Sequence, residues 1–137
     1  MLNHLRRRVI DLLEPTRVVT LSTCGPAGIQ AQVLPVVANG LRLYILVPTT
    51  SEHLFNLEQQ PIVVATTDEW QLRGHARRLP SSEIPTDIPI LRDVPASNNV
   101  IIEVKPYRFE VGPPNGSGFS ETIDLDQELD SNRDHFD

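Results

Sequence analysis

Residues 18–47 read VVTLSTCGPAGIQAQVLPVVANGLRLYILV. Three strands joined by two tight turns account for this stretch. Val18–Thr23 is short and rich in β-branched residues, which suit a pleated surface. Cys24-Gly25-Pro26-Ala27-Gly28 has the composition of a turn. Ile29–Ala38 predicts a second strand that contains Pro35. A proline cannot donate to a ladder, so Pro35 marks an edge, a bulge or a place where another group approaches the backbone. Asn39-Gly40 is a strong hairpin signal, because both turn positions want positive φ. Leu41–Val47 then predicts a third strand, with Leu41, Leu43, Ile45 and Val47 on one face.

Upstream, Leu2, Leu5, Val9 and Leu12/Leu13 recur at spacings of three and four, which predicts a helix over the first 14 residues. Pro15 ends it, since the residue before proline is pushed out of helical geometry. Arg6, Arg7 and Arg8 read as its solvated face, or as a patch for a phosphate or a membrane surface. Downstream, Ser51 is a natural N-cap for a short helix over Glu52–Gln60, stopped by Pro61. Ile62–Thr67 is apolar and β-branched throughout, which predicts a fourth strand buried on both faces. Trp70–Leu79 is a fifth strand. Four prolines between residues 80 and 95 exclude a long helix and predict an ordered loop or helical turn packed by Ile84, Ile88, Ile90 and Leu91. Val100–Lys105 is a sixth strand, with Tyr107–Val111 as its extension past Pro106. The order predicts a mainly antiparallel barrel or sandwich with small helices at its ends.

Composition narrows the function. The chain has 137 residues, 39% hydrophobic and 22% charged, which suits one domain. The net charge is −6, and it is unevenly placed. Residues 1–120 carry 11 Lys/Arg and 11 Asp/Glu, whereas the last 17 residues carry seven acids against Arg133. The body therefore lacks the overall basic footprint of a nucleic-acid binder. We divide the chain into a domain over 1–119 and an acidic tail over 120–137. The tail reads as a disordered solubility segment, or as one docked over the barrel, against Arg6–Arg8 or against the Arg73–Arg78 stripe, with Ile123, Leu125 and Leu129 as the residues able to dock it. One cysteine, Cys24, allows no intrachain disulfide and suits a cytoplasmic protein. No apolar run approaches the ~20 residues of a membrane helix, and acids interrupt any signal-peptide core. The four histidines, His4, His53, His75 and His135, form no ligand pair at helical spacing, so no metal site is expected.

Four segments carry a family resemblance. They are Val18-Val19-Thr20-Leu21-Ser22-Thr23 with Gly28, Leu41–Leu46, Ser51–Pro61 (SEHLFNLEQQP) and Trp70–Ala76 (WQLRGHA). In this order they resemble the first hairpin, the "LYF" strand, the "SRKxxNLxxNP" helix and the "VxVxGxA" strand of the pyridoxamine 5′-phosphate oxidase-like, FMN-binding split-barrel proteins. The resemblance covers about half of the chain. It implies a six-stranded antiparallel split β-barrel with Greek-key order and a homodimer with a flavin site at the subunit interface. It also implies an oxidoreductase-like role with FMN as cofactor. The residues it assigns to the flavin are Val47, Pro48, Thr49, Thr50, Ser51 and His53, with Pro35, Val36 and Trp70 beside the ring. Three hydroxyl residues at a helix start are chemically suited to a phosphate, because that end presents unpaired N–H groups and a partial positive charge. A plain helix cap is the other reading of Ser51.

The chain departs from the family pattern where FMN binders place Arg and Lys. Ser51, Glu52 and His53 stand there, and the later basic positions hold Phe55 and Gln59. His53 is the only local residue able to become cationic. Arg17, Arg42, Arg73, Arg77 or a partner-subunit arginine would have to substitute. Arg73, His75 and Arg77 alternate on one strand face, as a basic stripe or an ordinary solvated surface. The alternatives to an FMN enzyme are a binding or interaction dimer that has lost the phosphate site, and the same fold holding a deazaflavin or haem.

Overall fold

The computed structural model describes residues 2–92, 98–112 and 121–125. In chain order the elements are α1 (Leu2–Leu13), β1 (Val18–Gly25), β2 (Gly28–Asn39), β3 (Arg42–Pro48) and α2 (Glu52–Gln59). There follow β4 (Ile62–Thr66), β5 (Trp70–Arg78), a 3-10 turn (Ser81–Glu83), α3 (Pro89–Arg92), β6 (Asn99–Val111) and β7 (Glu121–Asp124). The strands run β3-β2-β1-β4-β5-β6-β7, and β3 also pairs with β6. That pairing closes six antiparallel strands into a barrel and leaves β7 as an addition. The order 3-2-1-4 is the Greek key: two hairpins, then a return through α2 that lays β4 beside β1. The expected fold class is thus the observed one.

The hairpins follow the sequence closely. Gly28 and Gly40 both adopt positive φ, 85° and 60°, at the two turns read from composition. Leu43, Ile45 and Val47 are fully buried in the barrel with Leu21, Leu72, Ile102 and Phe109. Val9 and Leu13 of α1 close one side of this core. The two halves of the sixth strand join into one. Across from Arg73 and Gly74 the register slips by a residue, so Tyr107 is the extra residue of a bulge and Pro106 sits where the ladder is already interrupted. Gly74 is required there. A Cβ would come within 2.7 Å of Val104 Cγ1 and 2.8 Å of the Lys105 carbonyl oxygen.

Three expectations are revised. The strand over Ile62–Thr67 is not buried on both faces in the single chain. Only Val63 and Ala65 point into the core, and Ile62 is 41% exposed. Its continuous apolar pattern reflects an uncovered outer face rather than a second internal layer. Secondly, the proline-rich segment is ordered and turned as expected, except at Ile90, and it builds a second, smaller core outside the barrel. Leu91 is fully buried there against Tyr44, Leu79 and Ile101, with Ile84 and Ile88 half-buried around them, while Ile90 is exposed. Arg77 clips this strap down, reaching Glu103 of β6 at 2.9 Å and Glu83 of the 3-10 turn at 3.2 Å. Thirdly, Arg6 is half-buried, although Arg7 and Arg8 are exposed as expected. Of the readings of the acidic tail, the docked one holds for its start. β7 pairs with Arg108–Val111, Ile123 and Leu125 are buried, and Glu121 forms an ion pair with Arg8. Leu129 and the rest of the tail lie outside the described residues.

Candidate functional site

The barrel is split where β2 changes partners. Gly28–Pro35 pairs with β1, whereas Val36–Asn39 pairs with β3. Residues 46–48 of β3 pair only with β6. The first half of β2 and the end of β3 therefore part, and α2 begins in the gap. The resulting cleft has a volume of about 340 Å³ and is lined by Gln30, Ala31, Gln32, Pro48, Thr50, Ser51, Glu52 and His53. Of the nine residues assigned from the sequence, Pro48, Thr50, Ser51 and His53 meet here. Thr49 is exposed outside the lining, with its N–H donating to the Asn98 carbonyl. Val36 and Val47 are buried in the barrel core, and Pro35 is exposed opposite Val18. Trp70 is also buried, packed on Phe109 with ring centroids 5.4 Å apart.

Ser51 caps α2, its Oγ accepting from His53 N–H at 3.1 Å. Behind this cap lies a buried polar relay. His53, 2% exposed, has its Nδ1 2.7 Å from Thr23 Oγ1. Asn56, fully buried, spans three groups. Its Oδ1 accepts from Ala27 N–H at 2.9 Å, and its Nδ2 donates to the Gly28 carbonyl at 2.9 Å and to Thr23 Oγ1 at 3.1 Å. The backbone partners fix the amide, since Ala27 N–H can only donate and Gly28 C=O can only accept. A threonine oxygen can accept twice, so the bond from Asn56 does not by itself direct the Thr23–His53 contact. His53 Nδ1 is, however, the only acceptor that meets the Thr23 proton among the described residues, which assigns Nδ1 as acceptor and the imidazole proton to Nε2. Burial also pushes the His53 pKa below its ordinary value.

α2 docks on the first hairpin closely enough to demand Gly25, where a Cβ would lie 2.8 Å from Asn56 Oδ1 and 2.9 Å from Asn56 Cα. Thr23, Asn56, Gln30 and Gln32 were not singled out from the sequence. A signal existed for Asn56. An Asn inside a helix competes with its own backbone and is unfavourable there unless tertiary partners occupy it.

The electrostatics do not suit a phosphate dianion. The lining contains no Lys or Arg, Glu52 brings a carboxylate, and His53 is neutral with Nδ1 engaged. Arg77 is held by Glu83 and Glu103, and Arg17 reaches the Glu14 and Thr16 carbonyls. Arg42 sits beside the Leu41 carbonyl on β3. Arg73 is on the outer face of β5 opposite Arg108. The residues present do not fit the phosphate of FMN. Gln30, whose Nε2 donates to the Ala27 carbonyl at 3.0 Å, Gln32 and Thr50 do fit a polar ring edge, beside a backbone edge of β2 that is unpaired among the described residues.

No family model matches the sequence, and no curated protein matches it. Solved structures match the fold. A Clostridium acetobutylicum protein related to general stress protein 26, of the pyridoxinephosphate oxidase family, superposes with a TM-score of 0.65 at 11% identity, over 90% of this chain and 96% of that one. General stress protein 26 of Bacillus anthracis gives 0.63 at 17% identity, over 89% and 99%. A heme binding protein of Mycobacterium smegmatis gives 0.61 at 18% identity, over 88% of this chain and 57% of that one. The fold is therefore that of the pyridoxamine 5′-phosphate oxidase-like split barrels, as the four sequence segments implied.

Proposed function

We propose that the protein is a homodimeric split-barrel binding protein whose cleft between β2 and α2 takes a flat, polar heteroaromatic ring of the flavin type. The observation that carries this reading is the cleft itself, where Gln30, Gln32 and Thr50 line a strand edge that has no ladder partner among the described residues, with Gln30 Nε2 held by the Ala27 carbonyl at 3.0 Å. Such groups read the donors and acceptors on a ring edge. A flavin would supply the hydride or electron chemistry, and the chain would supply orientation and exclusion of water.

The dimer reading rests on the outer face of β1, β2 and β4. Residues opposite one another in an antiparallel pair share a face. Val18, Thr20, Ser22 and Cys24 thus stand with Pro35, Val33, Ala31 and Ile29, and β4 adds Val64 and Ile62. Ile29 is 82% exposed and Val33 65%. A contiguous apolar sheet face beside a ligand cleft suits a second copy of the chain.

A second reading keeps the dimer and drops the cofactor. It is favoured by the absence of any cation in the cleft lining, and it corresponds to a binding or interaction module. The absorbance spectrum of the purified protein, followed by titration with riboflavin, FMN, a deazaflavin and hemin, separates the two. Bound flavin absorbance, or saturable flavin binding at micromolar concentration, supports the first. No binding by any ring at high micromolar concentration leaves the second.

A further inference from the structure

The relay behind the cap gives His53 a definite chemical role, which rests on the ring-binding reading above and goes beyond it. With Nδ1 committed to Thr23, only Nε2 remains to meet a ligand. Nε2 has no hydrogen-bond partner among the described residues. Yet among the described residues the only sealed, unpartnered side-chain polar atom is Arg6 Nε, so Nε2 is not cut off from its surroundings. His53 is one of the residues that line the cleft, and it keeps 2% of its surface exposed. Nε2–H is therefore a fixed donor at the cleft wall. Glu52, exposed on the next position toward the helix start, adds a negative charge to the same wall.

We propose that His53 is a ligand-binding donor locked by Thr23 and Asn56, and that together with Glu52 it makes the cleft select a neutral, acceptor-edged heteroaromatic over its phosphorylated form. Each part follows from simple chemistry. A neutral imidazole N–H pairs with a ring carbonyl or ring nitrogen and adds no charge to hold an anion. A carboxylate and a dianion about 6 Å apart across water repel enough to lower affinity about tenfold. Thr23 and Asn56 act through His53, as positioning residues. Burial, which holds the imidazole in its neutral form, supports the same conclusion.

The test compares riboflavin with FMN on the full-length protein and its Glu52→Gln, His53→Gln and Thr23→Val variants, alongside nitrogen-15 NMR of the histidines. Riboflavin is expected to bind about tenfold more tightly than FMN, with the gap narrowing in Glu52→Gln. His53→Gln should lose riboflavin affinity about tenfold. The NMR spectrum should show His53 as the Nε2–H tautomer, its Nε2 signals moving with riboflavin and staying still with inorganic phosphate. Thr23→Val should mix the tautomers and weaken riboflavin, a change that a purely structural threonine would not produce. FMN binding as tightly as riboflavin, or a His53 protonated on Nδ1, overturns this proposal while leaving the ring-binding reading intact. Binding of neither flavin overturns both.

Discussion

Asn56 carries more of the local architecture than any residue chosen from the sequence. Its side chain ties the turn of the first hairpin to α2 through three hydrogen bonds, and nothing else among the described residues replaces them. Truncation to alanine strands the Ala27 N–H and the Gly28 carbonyl in a partly buried place. We expect Asn56→Ala to cost about 3 kcal/mol, roughly 10 °C in Tm by thermal denaturation. Its neighbour His53 should give the fold a pH dependence. The folded pKa lies below the ordinary value of ~6.5, so the unfolded chain takes up the proton first. The stability gained from the neutral ring is complete above about pH 6.5 and is lost as pH falls toward the folded pKa. Melting between about pH 7 and pH 5 should show this slope, and His53→Gln should flatten it. His53 was legible as a site residue, but as a cation. Its neutrality comes from burial, in a place closed by Thr23, 30 residues away in sequence, which no local pattern reveals.

At the level of elements, the hairpins, α2 and the long β6 were readable because each has its own punctuation in Gly, Pro, Ser or an apolar alternation. β4 departs from its sequence pattern for a physical reason. An apolar run has the same composition whether its second face meets the core or awaits a partner. The strap over residues 80–92 was readable as ordered, but its seat on the outside of β3 and β6 was not, since Tyr44 and Ile101 look like core residues of the barrel. Arg77 holds that strap through two exposed ion pairs, which contribute little to global stability but restrain a local motion. Arg77→Ala should therefore speed hydrogen exchange in residues 80–92 while leaving the barrel strands as protected as before. Equal loss of protection in β4 and β5 would mean that the strap and the barrel open together.

The whole molecule presents two surfaces of opposite character. One is the apolar sheet of β1, β2 and β4, and the other is the charged face of β5 and β6. If the first is covered by a second copy, charge placed at its centre must disrupt the assembly. Val33→Glu combined with Ile62→Glu should convert a dimer to a monomer in size-exclusion chromatography with light scattering, with the barrel still folded. A wild-type monomer at high micromolar concentration would remove this surface as a self-association site. The fold class was legible at this scale because four segments in order imply one topology. The cleft was only half legible, because it arises where β2 exchanges one neighbour for another, and strand exchange leaves no mark on composition beyond Pro35.

The short strand β7 has a bearing on solubility. Beyond Val104, β6 parts from β3, and the stretch Arg108–Val111 would present bare backbone groups, the template on which sheets of different molecules join. β7 occupies that stretch for only four residues, with acids at both of its ends and five more in the chain that follows. A newcomer strand would have to dock against concentrated negative charge. The uneven −6 thus works as insulation against fibril growth on this edge. A chain clipped before Glu121 should form aggregates that bind amyloid dyes at concentrations where the intact chain stays clear.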